Sequence, residues 1–233
     1  MFKSIIKNIL KEGVYMKESK SMRDIFKLSF GEEIGNSVSH GTMALLLLFA
    51  LPAVSIYSYI RGGLLRGFGV SVYVICIFLM FLISCIYHTM DYKSTQKYIF
   101  RKLDHICIYL AIAGSYTPII LCLIQGVMGY IVVVAEWIAV IAGILLKSIS
   151  SKSHPVLSMV IYMCMGWAAI LILPSLIAKA SIAFLALIIA GGVLYTIGAY
   201  FYSHPQHSYF HFIWHICIVI ASLLHFIAIV FIM

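Results

Sequence analysis

His211-Phe-Ile-Trp-His215 sets two imidazoles four residues apart. On a helix that spacing places both on one face, where they can grip a single metal ion. His88 offers a third nitrogen from a distant part of the chain. Three protein nitrogens with a fourth position open is the arrangement of catalytic zinc, which brings the pKa of a bound water to about 7. Asp104 is a candidate base for that water. Ser84 lies one turn before His88 on the same face, where its hydroxyl can steady an oxyanion or orient the water. This chemistry requires that three separated stretches of chain meet at one place.

The elements that must bring them together are membrane helices. Of 233 residues, 63% are hydrophobic and only 10% charged. A soluble domain carries about 45–50% apolar and about 25% charged residues and could not hide this much apolar surface from water. Disorder and a small disulfide-stapled secreted domain are excluded by the same figures. The formal charge of +8 is gathered in tails and loops between apolar stretches, so it reports topology, and nucleic acid is not an expected partner. Six cysteines lie inside the apolar runs without C-x-x-C spacing, which reads as buried small hydrophobes.

A spanning helix takes roughly 20 apolar residues. The chain divides into seven: 37–60, 67–90, about 103–124, about 128–146, 155–178, and two more from 180 to 233 separated by Ser203-His-Pro-Gln-His207. Gln125-Gly126 and Gly129 supply the break between the third and fourth. The fold class is therefore an all-α integral membrane protein, a seven-helix bundle over 36–233 preceded by a basic segment, 1–35. Phe2, Ile5, Ile6, Ile9 and Leu10 fall at helical spacing among Lys3, Lys7 and Lys11, a pattern that fits either an interfacial amphipathic helix or a frayed basic tail. Thirteen Lys and Arg fall on the side of the N-terminus and three (Arg61, Arg66, Lys179) on the other, which places the N-terminus in the cytoplasm and the C-terminus outside.

That orientation, derived from Lys and Arg alone, sets four polar clusters near the cytoplasmic face. They are Glu33-x-x-Asn36-x-x-x-His40, Ser84-x-x-x-His88, Asp104 and His211-x-x-x-His215. Polar residues at membrane depth are costly and mark function by default. The competing reading is that interfacial histidines anchor at the headgroups and that H-x-x-x-H arises by chance. His225, fourteen residues past His211, lies about 21 Å deeper and reads as an interhelical hydrogen-bonding residue. His105 points about 100° away from Asp104 on the helix and stays outside the ligand set. His154, His204 and His207 read as loop residues. Glu136 falls near the middle of the fourth span, as a protonated or paired carboxyl or as a second site.

Together with Lys102-Leu-Asp104 and Gly114-Ser-Tyr-Thr-Pro118, these clusters in this order resemble the haemolysin III proteins. These form the bacterial branch of the progestin and adipoQ receptor family, within the superfamily that includes alkaline ceramidases. The resemblance runs from the first span to the seventh. It implies zinc near the cytoplasmic face, held by His88, His211 and His215, with Asp104 reaching the metal through water. It also implies that the shared serine is Ser84 and that Glu33, Asn36 and His40 support the ligands from behind. Three functions follow as expectations. The first is zinc-dependent hydrolysis of an amide or ester of a membrane lipid in the cell membrane. The second is a non-catalytic regulator or sensor of membrane state with a structural zinc. The third, a pore-forming haemolysin, fits poorly with seven apolar spans, which describe a resident protein.

Overall fold

The computed structural model describes residues 27–92, 94–149 and 155–233, and these are helical almost throughout. The expected amphipathic helix at 2–11 and the His154 loop lie outside the described residues. Helix α1 runs over Phe30–Thr89, α2 over Thr95–Pro118 and α3 over Val127–Ile149. They are followed by α4 over Pro155–Trp167, α5 over Leu173–Lys179, α6 over Ile182–Tyr202 and α7 over Phe210–Ile227. A π-helical turn, Ile119–Ile124, extends α2, and a second, Ala228–Ile232, extends α7. Among the described residues six helices are long and apolar enough to cross a membrane.

One of the six is α1, with 60 residues. A straight helix of that length would measure about 90 Å, three times a hydrocarbon core of about 30 Å. It is not straight. Gly62 (φ −153°, ψ 20°) and Gly63 (φ 69°, ψ −165°) leave helical geometry, and the latter conformation is open essentially to glycine alone. The two halves fold back on each other about this point. The Ser55 and Ser71 hydroxyls are 2.8 Å apart, and Ser37 Oγ donates to the Cys85 carbonyl at 3.4 Å. The returning half is the centre of the bundle: Val70, Tyr73, Val74, Ile77, Met80 and Phe81 are all buried at helical spacing.

The outside of the bundle is apolar. On α3, Ile131, Val134, Ile138, Ile141 and Leu145 form an exposed stripe, while Glu136 and Lys147 are buried with Val132, Val140 and Gly143. Aliphatics outward and ionisable groups inward is the pattern of a helix bathed in lipid. The protein is a multi-pass membrane protein.

Other expectations from the sequence have structural counterparts. Gln125, in the left-handed region at φ 40°, ends the third stretch, and α3 begins two residues later. The turn after Tyr202 separates α6 from α7. The stretch from Pro155 to Lys179 is less regular than its apolar run suggests, because Ala168–Ile172 winds as a 3-10 helix. Tyr116 reaches into that irregularity, its hydroxyl 2.9 Å from the Met165 and Gly166 carbonyls and accepting from Ala169 N at 2.8 Å. All six cysteines are free; Cys76, Cys107 and Cys217 are buried, whereas Cys164 is exposed on the apolar surface.

Candidate metal centre

The last turn of α1 and the first two turns of α7 bring three imidazoles together. One ligand atom from each of His88, His211 and His215 lies within 4.8 Å of the others, so the cluster can hold a metal ion. On α7 the two Nε2 atoms are 3.2 Å apart. Two nitrogens bound tetrahedrally at about 2.0–2.1 Å from a zinc-sized ion stand about 3.3 Å apart, so this spacing suits a shared cation. Without a cation the same spacing is met by one N–H···N bond.

His88 carries the clearest sign of its role. Its Nδ1 lies 2.6 Å from Glu33 Oε2, so the ring donates its proton there and presents Nε2 as a lone pair. That Nε2 is buried with no partner in the protein. A histidine whose far nitrogen donates to a carboxylate is the usual form of a metal-ligating imidazole. His215 likewise has a buried, unpartnered Nδ1. A buried polar atom without a partner costs about 1–3 kcal/mol, and the orphaned His88 Nε2 in this cluster marks a place built for something else to complete.

The remaining expected residues surround this cluster. Asn36 places its amide 3.5 Å from His88 Nδ1. His40 stacks on His215 with ring centroids 4.0 Å apart and meets Phe81 edge-on, and both its ring nitrogens are buried without partners. Ser84 is buried one turn before His88, and its hydroxyl lies against the Asp104 carboxylate of α2, near His88. All eight residues singled out from the sequence thus sit in or against one group.

The histidines left outside it have other partners. His105 bonds the Arg101 carbonyl through Nδ1 at 2.6 Å and faces the Tyr202 hydroxyl through Nε2. His225 joins two helices, its Nε2 donating to the Ile188 carbonyl at 3.1 Å. His204 lies against the Tyr200 carbonyl at the end of α6. Glu136 is buried on α3 with Oε2 unpartnered, away from the cluster.

Two residues that matter here were not singled out by their sequence. Lys97, counted as a cytoplasmic loop charge, is buried, and its Nζ lies 2.6 Å from the second oxygen of Glu33. Nothing local in the chain marks it. Glu32 closes a capping box with Ser29 and also accepts from the Tyr209 backbone N–H at 2.6 Å, tying the start of α1 to the start of α7. The S-x-x-E spacing of Ser29 to Glu32 does signal the helix start; the long-range bond has no such signal.

The chain is similar to several known proteins. The sequence profile of a family described as Haemolysin-III related matches residues 28–226. "Hemolysin-3" of Bacillus cereus is 32% identical over 200 residues, covering 86% of this chain and 91% of that protein. A "Hemolysin-3 homolog" of Bacillus subtilis is also 32% identical over 200 residues, covering 86% and 93%. The human "Monocyte to macrophage differentiation factor" is 25% identical over 155 residues, 64% of each chain. With the matched region running from the turn before α1 into α7, the chain belongs to the haemolysin III family.

Proposed function

We propose that this protein is a zinc-dependent hydrolase of an amide or ester bond in a membrane lipid, crossing the cell membrane seven times. The fold-back of α1 at Gly62–Gly63 supports counting that helix as two crossings. The thirteen-to-three division of Lys and Arg supports a cytoplasmic N-terminus and an external C-terminus. An all-imidazole donor set suits zinc, as it suits copper, iron and nickel, and zinc alone of these brings no redox chemistry to a hydrolysis.

The observation that carries the reading is the lone buried Nε2 of His88 beside a Ser84–Asp104 pair. When bound there, zinc would acidify water and polarise a carbonyl. Asp104 takes the proton from the attacking water as the new C–O bond forms. It then delivers that proton to the nitrogen or oxygen leaving as the C–N or C–O bond of the lipid breaks. Ser84 holds the carboxylate in place before attack and, once Asp104 carries the proton, turns its single O–H to the developing oxyanion. The exposed aliphatic faces of the bundle suit entry of an acyl chain from the side.

The test is release of free fatty acid from vesicles containing ceramide or ester lipids, with zinc content measured in parallel. Wild type should release acid, and Asp104→Asn should keep its zinc and lose at least about 10²-fold in rate. Zinc-loaded wild type that releases none refutes the hydrolase.

A second reading, a regulator or sensor of membrane state with a structural zinc, uses the same three imidazoles, with buried His40 packed against His215 as support. That reading expects Asp104→Asn to complement loss of the protein fully. The name of the Bacillus relatives suggests lysis, but seven anchored apolar spans suit a resident protein. Purified protein added to red cells should leave them intact.

A further inference from the structure

Lys97 is 1% exposed, although a lysine at the edge of a membrane ordinarily extends its ammonium into water. It stands in the first turn of α2, and each of its contacts points toward His88. Its Nζ donates to Glu33 Oε1 at 2.6 Å and to the Met90 carbonyl at 3.1 Å, and lies 4.9 Å from the centre of the Tyr87 ring. Tyr87 and Met90 flank His88 in the chain, and Glu33 is the carboxylate that takes the His88 Nδ1 proton at 2.6 Å. The ammonium therefore holds both the segment that carries the ligand and the group that orients it.

We propose that Lys97 is a positioning residue of the metal centre. By pinning one oxygen of Glu33, it fixes the other against His88 Nδ1, which sets the ring's orientation and leaves Nε2 as the ligand. The assignment rests on the metal-binding reading above. Glu33 alone could not do this as well. It has three rotatable side-chain bonds and is 19% exposed, so without a counter-charge it is free to turn to water at the cytoplasmic edge. A buried ammonium is itself expensive unless fully paired, and here a carboxylate, a carbonyl and a ring face meet it together. The arrangement extends the carboxylate–histidine support of metal sites by one further residue.

The test is zinc affinity of the full chain in detergent, measured by chelator competition, with cobalt(II) absorption as a report on ligand geometry. The set is wild type, Lys97→Met, Glu33→Gln and the double variant. Lys97→Met should weaken zinc about 10–100-fold and shift the cobalt bands. The double variant should be no weaker than Glu33→Gln, because both changes act through one carboxylate. Wild-type affinity and bands in Lys97→Met overturn the proposal, as do losses that multiply in the double variant. Wild type that holds no metal overturns the metal-binding reading, and this assignment with it. If Lys97→Met fails to fold, the double variant, which buries no lone charge, is compared with Glu33→Gln. Equal zinc affinity supports the assignment and a further loss overturns it.

Discussion

Replacing Glu32 with alanine should loosen the start of α7, although Glu32 lies 177 residues from its partner Tyr209. The carboxylate makes three bonds: Oε2 accepts from Ser29 N at 3.0 Å and from Ser29 Oγ at 2.8 Å, and Oε1 accepts from Tyr209 N at 2.6 Å. Ser29 is exposed, so water replaces much of what its two bonds lose. The third bond is different. Tyr209 sits at φ 64°, a left-handed conformation that costs a side-chain-bearing residue about 1–2 kcal/mol, and it is the cap residue of the helix carrying His211 and His215. A bond to a charged group contributes about 1.5–3 kcal/mol. Losing it should raise local opening of the α7 start by about 10–150-fold, with Glu32→Gln falling between, since its amide oxygen still accepts. Hydrogen exchange in detergent reads this directly as faster exchange at residues 209–213, with the Val70–Phe81 core unchanged. Zinc affinity should fall with it. Unchanged exchange at Tyr209 and its neighbours in a folded Glu32→Ala protein would refute the idea that this bond sets the α7 start.

Gly63→Ala should destabilise the protein by about 1–3 kcal/mol through backbone strain alone, since its Cβ would meet nothing within 4 Å; thermal melting of the detergent-purified protein checks this. His215→Ala should weaken zinc by about 10²–10³-fold, one ligand's share of the roughly 10–16 kcal/mol of a four-ligand site, and chelator competition measures it. Removing zinc from wild type should lower its melting temperature, by the equivalent of about 2.7 kcal/mol when free zinc had stood at 100 times Kd, and His215→Ala should show little such shift. Glu136→Met should be at least as stable as wild type, because it removes a buried oxygen that has no partner. Loss of cellular function in that stable variant would mark Glu136 as a second site.

The parts of this structure that were legible in the sequence are those the membrane itself enforces. Lipid offers no hydrogen bonds, so apolar length marks each helix and polar residues at depth stand out. That is why His88, His211, His215, Ser84 and Asp104 could be assigned to one neighbourhood before any contact was known, and why His225 read as a bond between helices. The breaks at Gln125–Gly126 and after Tyr202 were legible from turn chemistry. The tight fold-back at Gly62–Gly63 was legible only as a gap in the apolar run, because both arms stay helical up to the turn.

What the sequence does not display is who pairs with whom. Lys97 and Lys102 lie five residues apart on one helix and look alike as cytoplasmic charges, yet Lys97 is buried and Lys102 is not. The difference is Glu33, 64 residues away, and no local pattern reports it. The stretch Gly114-Ser-Tyr-Thr-Pro118 makes the same point from the other direction. In the sequence it carries part of the family resemblance, and in the fold its atoms are spent on packing. Tyr116 bonds the irregular backbone of 165–169, and Thr117 accepts from Trp137 Nε1 at 3.1 Å. Recognisable residues at the centre of a bundle can therefore be structural, while an unremarked lysine at its edge holds the orientation of a ligand. Charge pairing across the bundle, rather than motif membership, separates the two roles here. Glu33 therefore belongs with Lys97 and His88 as one unit, and Gly114–Pro118 belongs to the scaffold.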